Sequence, residues 1–287
     1  MQQYRASNFS NFPPVVKNLM IINGLMFVAT MLVQNSQHVD LTDKLGLYYL
    51  TSTFFNPFQV VTHMFMHGSF THILSNMFSL WMFGTALENF WGAKRFLIFY
   101  LVCGLGGALL HLGFTGYEVH VLQVAVDHYN ANPSFNSYLQ LINEHKGLLY
   151  SQDFVNQVNA VIQPWQTVTE RLDGFLTINM ADVIDNSKIV AQELVQQRAN
   201  IPAVGASGAV FGLLAAYGMI FPNAEMIMIF FPVPIKAKYF VLLYAGFELY
   251  AGISGTQEGV AHFAHLGGAL FGFILVKIWQ KNRNFFY

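Results

Sequence analysis

Apolar residues gather along this chain into six long stretches, separated by polar connections of very unequal length. The stretches run approximately over Asn18–Gln34, Thr71–Phe90, Phe96–Tyr117, Gly205–Phe221, Tyr239–Ile253 and Val260–Gln280. A helix needs ~20 residues to cross the hydrocarbon core of a bilayer. Measured against that, the fourth and fifth stretches are short. A helix that begins below the membrane surface, or a re-entrant loop leading into it, would account for the fourth, because irregular backbone is tolerated where protein or a water-filled cavity surrounds it. The pattern predicts an all-α, polytopic membrane protein: a bundle of six transmembrane helices.

One connection breaks the rhythm. Residues 118–203 are polar, with nine acidic against four basic side chains. Helical periodicity returns inside this segment: Val190, Leu194 and Val195 share one face of Asn186–Ala199, and similar spacing recurs in Tyr138–Leu149 and Phe154–Ile162. Asn132-Pro133-Ser134 marks a break. The segment reads as a small external helical insertion, with a passive spacer as the alternative. The chain thus divides into a leading segment 1–17, helices one to three in 18–117, the insertion 118–203, helices four to six in 204–280 and a tail 281–287.

Composition fits the pattern. Hydrophobic residues make up 54% of the chain and charged residues only 10%, against ~25% charged in a soluble domain. A formal net charge of −1 argues against nucleic acid as a partner. The single cysteine, Cys103, excludes an intramolecular disulfide. The first apolar stretch follows a polar lead with no convincing small-residue cleavage site, so it is expected to be an uncleaved anchor. Arg5, Lys17, Lys94, Arg95, Lys236, Lys238, Lys277, Lys281 and Arg283 fall on alternate connections, close to span ends. The positive-inside rule makes their side cytoplasmic and sends the insertion outside.

Polar residues inside a membrane are costly, and each is a functional hypothesis by default. The second span enters from outside with His72 and Asn76 in its first turns, on one face at i, i+4 spacing. The fourth opens with Gly205-Ala206-Ser207-Gly208, and the sixth carries His262 and His265 near its start. All lie within ~10 Å of the outer surface by helix rise. Gly208-x-x-x-Gly212 and Gly268-x-x-x-Gly272 are small-xxx-small packing patterns that would let the fourth and sixth helices touch. That contact would bring Ser207 within reach of His265, an imidazole suited to taking a hydroxyl proton. His72, Asn76 and the Ser207 N–H could then donate to an oxyanion. No Asp or Glu stands near His265 in its own span, so the pair reads as a dyad, and Phe211, one turn after Ser207, could orient the imidazole by packing on it.

Plainer readings stand beside these. Ser207 could be a helix cap or a packing residue. His63, His67, His111 and His262 suit structural hydrogen bonding. His63 and His67 at i, i+4 could hold a metal, but no acidic ligand is nearby and there is no His-Glu-x-x-His. The spans contain no Asp, which excludes a pair of intramembrane aspartates. Glu248 in the fifth span reads as a proton-relay residue or as the lining of a wet gate. A proton-coupled transporter would call for repeat symmetry and paired broken helices, and neither is visible.

Taken in order, His63-x-x-x-His67-x-x-x-x-His72-x-x-x-Asn76, Gly205-Ala206-Ser207-Gly208 and Ala264-His265-Leu266-Gly267-Gly268-Ala269-Leu270-Phe271-Gly272 resemble the rhomboid intramembrane serine proteases of bacterial type. The resemblance covers about Asn18 to Lys277 without the insertion. It implies Ser207 as nucleophile, His265 as general base, His72 and Asn76 as oxyanion donors, and Gly205 in the loop entering the serine helix. It also implies Glu88 as a structural carboxylate tying helix ends together. By the same resemblance the substrates are transmembrane or juxtamembrane segments of membrane proteins, cut at small residues. The fifth span with the loop Ser254–Gly259 would be the entry gate, no cofactor or metal would be needed, and the setting would be a bacterial plasma membrane. The chain departs from the pattern in having Phe58-Gln59 where many bacterial members have Trp-Arg, Phe211 where some carry Tyr, and a long insertion where the connection is usually short. A catalytically silent relative that binds or escorts membrane proteins is the alternative function. The insertion could cover the site, recruit substrates or mediate self-association.

Overall fold

The computed structural model of the chain describes residues 12–149, 151–170, 179–228, 231–254 and 261–281. The leading segment up to residue 11, the tail beyond 281 and the expected gate loop at 255–260 lie outside the described residues. Among the described residues twelve α-helices follow in chain order. Three are α1 Pro14–Gln37, α2 Thr42–Leu45 and α3 Gln59–Thr62. Next come α4 Phe70–Ser79 and α5 Thr85–Trp91, joined without a break by a π-helical turn at Leu80–Gly84. Then α6 Ala93–Ala131, α7 Phe135–Glu144, α8 Gln152–Glu170 and α9 Met180–Ala199 lead to α10 Ser207–Ile220, α11 Ala237–Ser254 and α12 His262–Lys281. Six apolar helical stretches occupy the six expected positions. Among the described residues α1, α6 and α12 are long and apolar enough to cross a membrane.

One helix end and one added element differ from the sequence expectation. The third span does not stop at Tyr117, because α6 continues into polar sequence as far as Ala131. Helix termination needs a breaker or cap, and the next one is the Asn132–Ser134 turn, where Ser134 and Ser137 form a capping box for α7. Between α10 and α11 the otherwise all-α fold carries a β-hairpin of β1 Glu225–Met228 and β2 Phe231–Lys236, paired antiparallel with Glu225 opposite Lys236. Pro232 and Pro234 fit β2 because a two-stranded sheet leaves one edge of each strand unpaired.

The contacts divide the chain into two compact units, one of residues 1–47, 54–112 and 202–287, the other of 48–53 and 113–201. The second unit holds the insertion and has its own core, in which Tyr129, Tyr138, Leu141, Phe154, Trp165 and Leu194 are buried. Inside it the Tyr129 and Ser187 hydroxyls hydrogen-bond, and Arg198 pairs with Glu118. These amphipathic helices thus bury their apolar faces against one another.

In the first unit the membrane-facing sides are apolar: Leu242 is 70% and Ile253 73% exposed on α11, with Leu25 and Leu32 exposed on α1. Two of its buried polar side chains, Glu88 and Gln59, tie separate segments together. Glu88, 3% exposed, accepts from the Val15 and Val16 amides at 3.0 and 2.8 Å. These are orphan donors at the start of α1, where a carboxylate also suits the helix dipole. The expected role of Glu88 in tying helix ends together is thus visible as a cap. Gln59 is buried and ties the first external loop: its Nε2 donates to the Lys44 and Phe54 carbonyls, and its Oε1 accepts from the Asn56 amide.

The decisive contact lies between α10 and α12. A Cβ on Gly272 would sit 2.9 Å from the Gly212 carbonyl oxygen, one on Gly212 3.0 Å from the Gly268 oxygen, and one on Gly208 3.3 Å from the Ala264 oxygen. A Cβ on Gly268 would collide with the Gly208 backbone. Both small-xxx-small patterns therefore face each other, backbone against backbone. Gly268→Ala is expected to lower the thermal midpoint in detergent, at an overpacking cost of ~1–3 kcal/mol. Gly246→Ala, whose Cβ meets nothing within 4 Å, should leave the midpoint unchanged or raise it, because alanine is the better helix former. Equal midpoints for the two variants would refute this packing.

Candidate active site

Ser207 is the first residue of α10, and the chain reaches it through irregular backbone after α9. The strand-like pairing of Leu47 with Ala203 and the bond from the Gly205 amide to the His63 carbonyl, 2.9 Å, hold that entry in place. Gly205 has φ +128°, a region that side chains disfavour, and a Cβ there would lie 2.7 Å from His72 Nε2. Both the dihedral and the close approach require glycine. The loop Gly205-Ala206-Ser207 is thereby pressed against α4.

Across the α10–α12 contact, His265 Nε2 lies 2.8 Å from Ser207 Oγ. Ser207 is 8% exposed. The Phe211 ring stacks on the His265 imidazole with centroids 4.2 Å apart and planes 4° from parallel. Tyr244 of α11 packs on Phe211 in turn, at 4.9 Å. Stacking fixes the plane of the imidazole but not which edge faces the serine.

A second neighbour of the ring is a residue whose partner the sequence did not reveal. Glu248 of α11, 3% exposed, accepts from His265 Nδ1–H at 2.9 Å and from His262 Nδ1–H at 2.7 Å through one oxygen, Oε2. As expected, α12 itself has no acid near His265, and the carboxylate comes from the neighbouring helix. Both histidines cover Glu248. The tautomer follows from these partners. An imidazole that donates from Nδ1 accepts at Nε2, so the Ser207 hydroxyl donates to His265. Each of the three residues offers one potential ligand atom for a cation within 4.8 Å of the others. The 2.7 and 2.9 Å separations are N–H···O lengths, shorter than the ~3.3 Å between ligand atoms around a tetrahedral zinc.

On α4, Ser69 caps the helix by accepting from the His72 amide at 3.1 Å, and His72 and Asn76 share one face. The His72 ring meets His67 edge-on, 5.0 Å between centroids. Asn76 is 4% exposed, and its Nδ2 has no hydrogen-bond partner among the described residues. A buried amide N–H₂ without an acceptor is costly, and such groups call for an explanation. His63 is structural, donating from Nδ1 to the Gln59 carbonyl at 2.8 Å. A cavity beside the serine is lined by Leu47, His63, His111, Gly205, Ser207 and Ala261. The arrangement offers a hydroxyl in hydrogen-bond contact with an imidazole, beside a cavity that Ser207 itself lines.

Comparison with known proteins follows the same outline. Residues 55–122 and 175–282 match the family model described as Rhomboid: Rhomboid domain. The chain is similar to Rhomboid protein 1, mitochondrial, of Saccharomyces cerevisiae, at 24% identity over 240 residues, covering 82% of this chain and 46% of that protein. It is also similar to Putative rhomboid protease YdcA of Bacillus subtilis, at 30% identity over 106 residues, covering 36% of this chain and 53% of that protein. A third similarity is to Rhomboid protease GluP of Bacillus subtilis, at 34% identity over 59 residues, covering 21% of this chain and 12% of that protein. The chain spans about half the length of these relatives or less.

Gly205→Ala is expected to lower the thermal midpoint, at ~1–3 kcal/mol of backbone strain, and to displace His72, read as a change in its imidazole resonances. An unchanged midpoint with unchanged resonances would contradict this geometry.

Proposed function

The chain belongs to the rhomboid family of integral membrane proteins, and from that premise we propose that it is an intramembrane serine endopeptidase. The observation that carries the reading is the 2.8 Å contact between Ser207 Oγ and His265 Nε2, two side chains brought together by glycine-packed helices. The Ser207 hydroxyl passes its proton to His265 Nε2 as Oγ attacks the scissile carbonyl carbon. His72, Asn76 and the Ser207 N–H donate to the oxyanion that forms, and the unpartnered Asn76 Nδ2 supports this assignment. Collapse of the intermediate breaks the C–N bond, and His265 returns the proton to the leaving amine. Water then hydrolyses the acyl ester by the same route, regenerating the hydroxyl.

Phe211 supports the base by stacking, and Gly205 permits the close entry of the serine loop against His72. The substrates are transmembrane or juxtamembrane segments of other membrane proteins, presented within the bilayer and locally unwound, because a helix hides its carbonyls in internal hydrogen bonds. The alternating basic connections support a bacterial plasma-membrane orientation with the sequence before α1 and after α12 on the cytoplasmic side and Ser207 toward the outer face.

Ser207→Ala and His265→Ala are each expected to lower the cleavage rate of a reporter membrane protein by on the order of 10⁴–10⁶, with the double variant no worse than either, because residues that act as a unit are not additive. Labelling of Ser207 by a serine-directed phosphonate should disappear in Ser207→Ala. Undiminished cleavage by purified Ser207→Ala would refute the reading, and a wild-type chain that neither cleaves nor labels would establish a catalytically silent binding protein instead.

A further inference from the structure

A buried carboxylate that accepts from two imidazoles through one oxygen is the strongest unexplained feature of the first unit. Burial of an ionised carboxylate is costly unless it is paired and hydrogen-bonded, and Glu248 is enclosed at 3% exposure. Its partners are specific. His265 is already engaged with Ser207 through its other nitrogen. His262, one helical turn earlier on α12, donates from Nδ1 to the same Oε2, and its own Nε2 is buried without a partner among the described residues. Among the described residues the His262 ring thus hydrogen-bonds to Glu248 alone.

We propose that Glu248 is the positioning residue of the Ser207–His265 pair, holding the His265 ring with Nε2 toward the serine hydroxyl and neutralising the imidazolium formed when the hydroxyl proton moves. The proposal rests on the hydrolytic reading of Ser207 and His265 and deepens it.

Three physical arguments converge. Phe211 stacking at 4° confines the ring to a plane, yet a ring flip within that plane would turn a carbon edge to Ser207. A carboxylate at Nδ1 selects one of the two edges and, with it, the tautomer. Second, proton transfer from Ser207 creates a cation in surroundings that solvate it poorly. The negative Oε2, 2.9 Å from Nδ1, is the nearest compensating charge. The remaining titratable groups around the ring, His262 on α12, Tyr244 on α11 and His72 on α4, carry no negative charge in their ordinary states. Third, His262 donates to the same Oε2 from the preceding turn of α12, so the carboxylate keeps its aim when the His265 bond strengthens. The proton stays on His265 throughout: Glu248 accepts a hydrogen bond and is not itself protonated. His262 therefore acts on the reaction only through Glu248.

The test pairs kinetics with a spectroscopic signature in the full-length chain reconstituted in lipid. Glu248→Gln keeps the shape and one acceptor oxygen but removes the charge. It is expected to lower kcat by ~10²–10⁴ while KM stays within about threefold, and Glu248→Asp should recover at least a tenth of the lost rate. An unchanged kcat in Glu248→Gln, or an effect confined to KM, would overturn the proposal. Should Glu248→Gln fail to fold, wild-type protein with ¹⁵N-labelled histidine decides alone. His265 is expected in the Nδ1–H tautomer, with its Nδ1 proton shifted strongly downfield, and the Nε2–H tautomer would overturn the proposal. Failure of the parent reading looks different. There Ser207→Ala still cleaves, whereas failure of this proposal leaves Ser207→Ala dead and Glu248→Gln active.

Discussion

Everything at the candidate site depends on the backbone contact between α10 and α12. In lipid, apolar surface gains little by meeting other apolar surface, so helices associate through close packing and polar contacts. The glycines at 208, 212, 268 and 272 remove the side chains that would hold the two backbones apart. Ser207 directly precedes the first of these glycines, and His265 directly follows Ala264, whose carbonyl lies against Gly208. The hydroxyl–imidazole distance is therefore a consequence of helix packing and not of two flexible side chains finding each other. Each side chain is anchored within one residue of a contact that cannot loosen without separating the helices.

A second constraint is the satisfaction of polar groups buried among apolar helices. Glu88 takes two orphan amides of α1, Gln59 fastens three points of the first external loop, and Glu248 takes two imidazole N–H groups. In each case a polar side chain from one helix or loop completes the hydrogen bonding of another. These are the links that specify register where apolar packing alone would allow sliding. Asn76 Nδ2 is an exception on the α4 face that carries His72. A structural amide would be expected to find an acceptor, so a buried one left open fits a group that waits for a ligand atom.

Much of this was legible in the sequence because the relevant residues lie within a helical turn of one another or inside a recurring word. His72 and Asn76 announce a shared face at i, i+4, and the glycine spacing announces the α10–α12 contact. The insertion helices were readable from their apolar faces, as Val190, Leu194 and Val195 show in α9. Glu248 was visible as an intramembrane acid, yet its partner was not. It stands 17 residues before His265 on another helix, and α11 is apolar nearly all round, so periodicity does not say which face turns inward. The end of α6 was misplaced for a related reason. Hydropathy changes at Glu118, but the backbone responds to caps and breakers, and none occurs before Asn132. The hairpin after α10 escaped notice because prolines flank Val233 in a run short enough to pass for a loop.

The sequence suggested a two-residue centre in which an aromatic ring does the orienting, and the structure separates that task into two. Stacking by Phe211 is weakly directional: it sets the plane of His265 and is indifferent to a flip within it. A hydrogen bond to a charged acceptor is directional and roughly twice as strong as a neutral one, so it can choose the edge. Phe211 comes from α10 and Glu248 from α11, while the imidazole belongs to α12. The base is thus held by one neighbour across its face and by another at its rim. Any displacement of α11 relative to α12 would release the rim contact and leave the stack in place. The nucleophile and the base would stay adjacent under such a displacement, but the tautomer and the counter-charge would be lost. Within the proposed reading, the position of α11 therefore governs the reactivity of the pair more than its assembly.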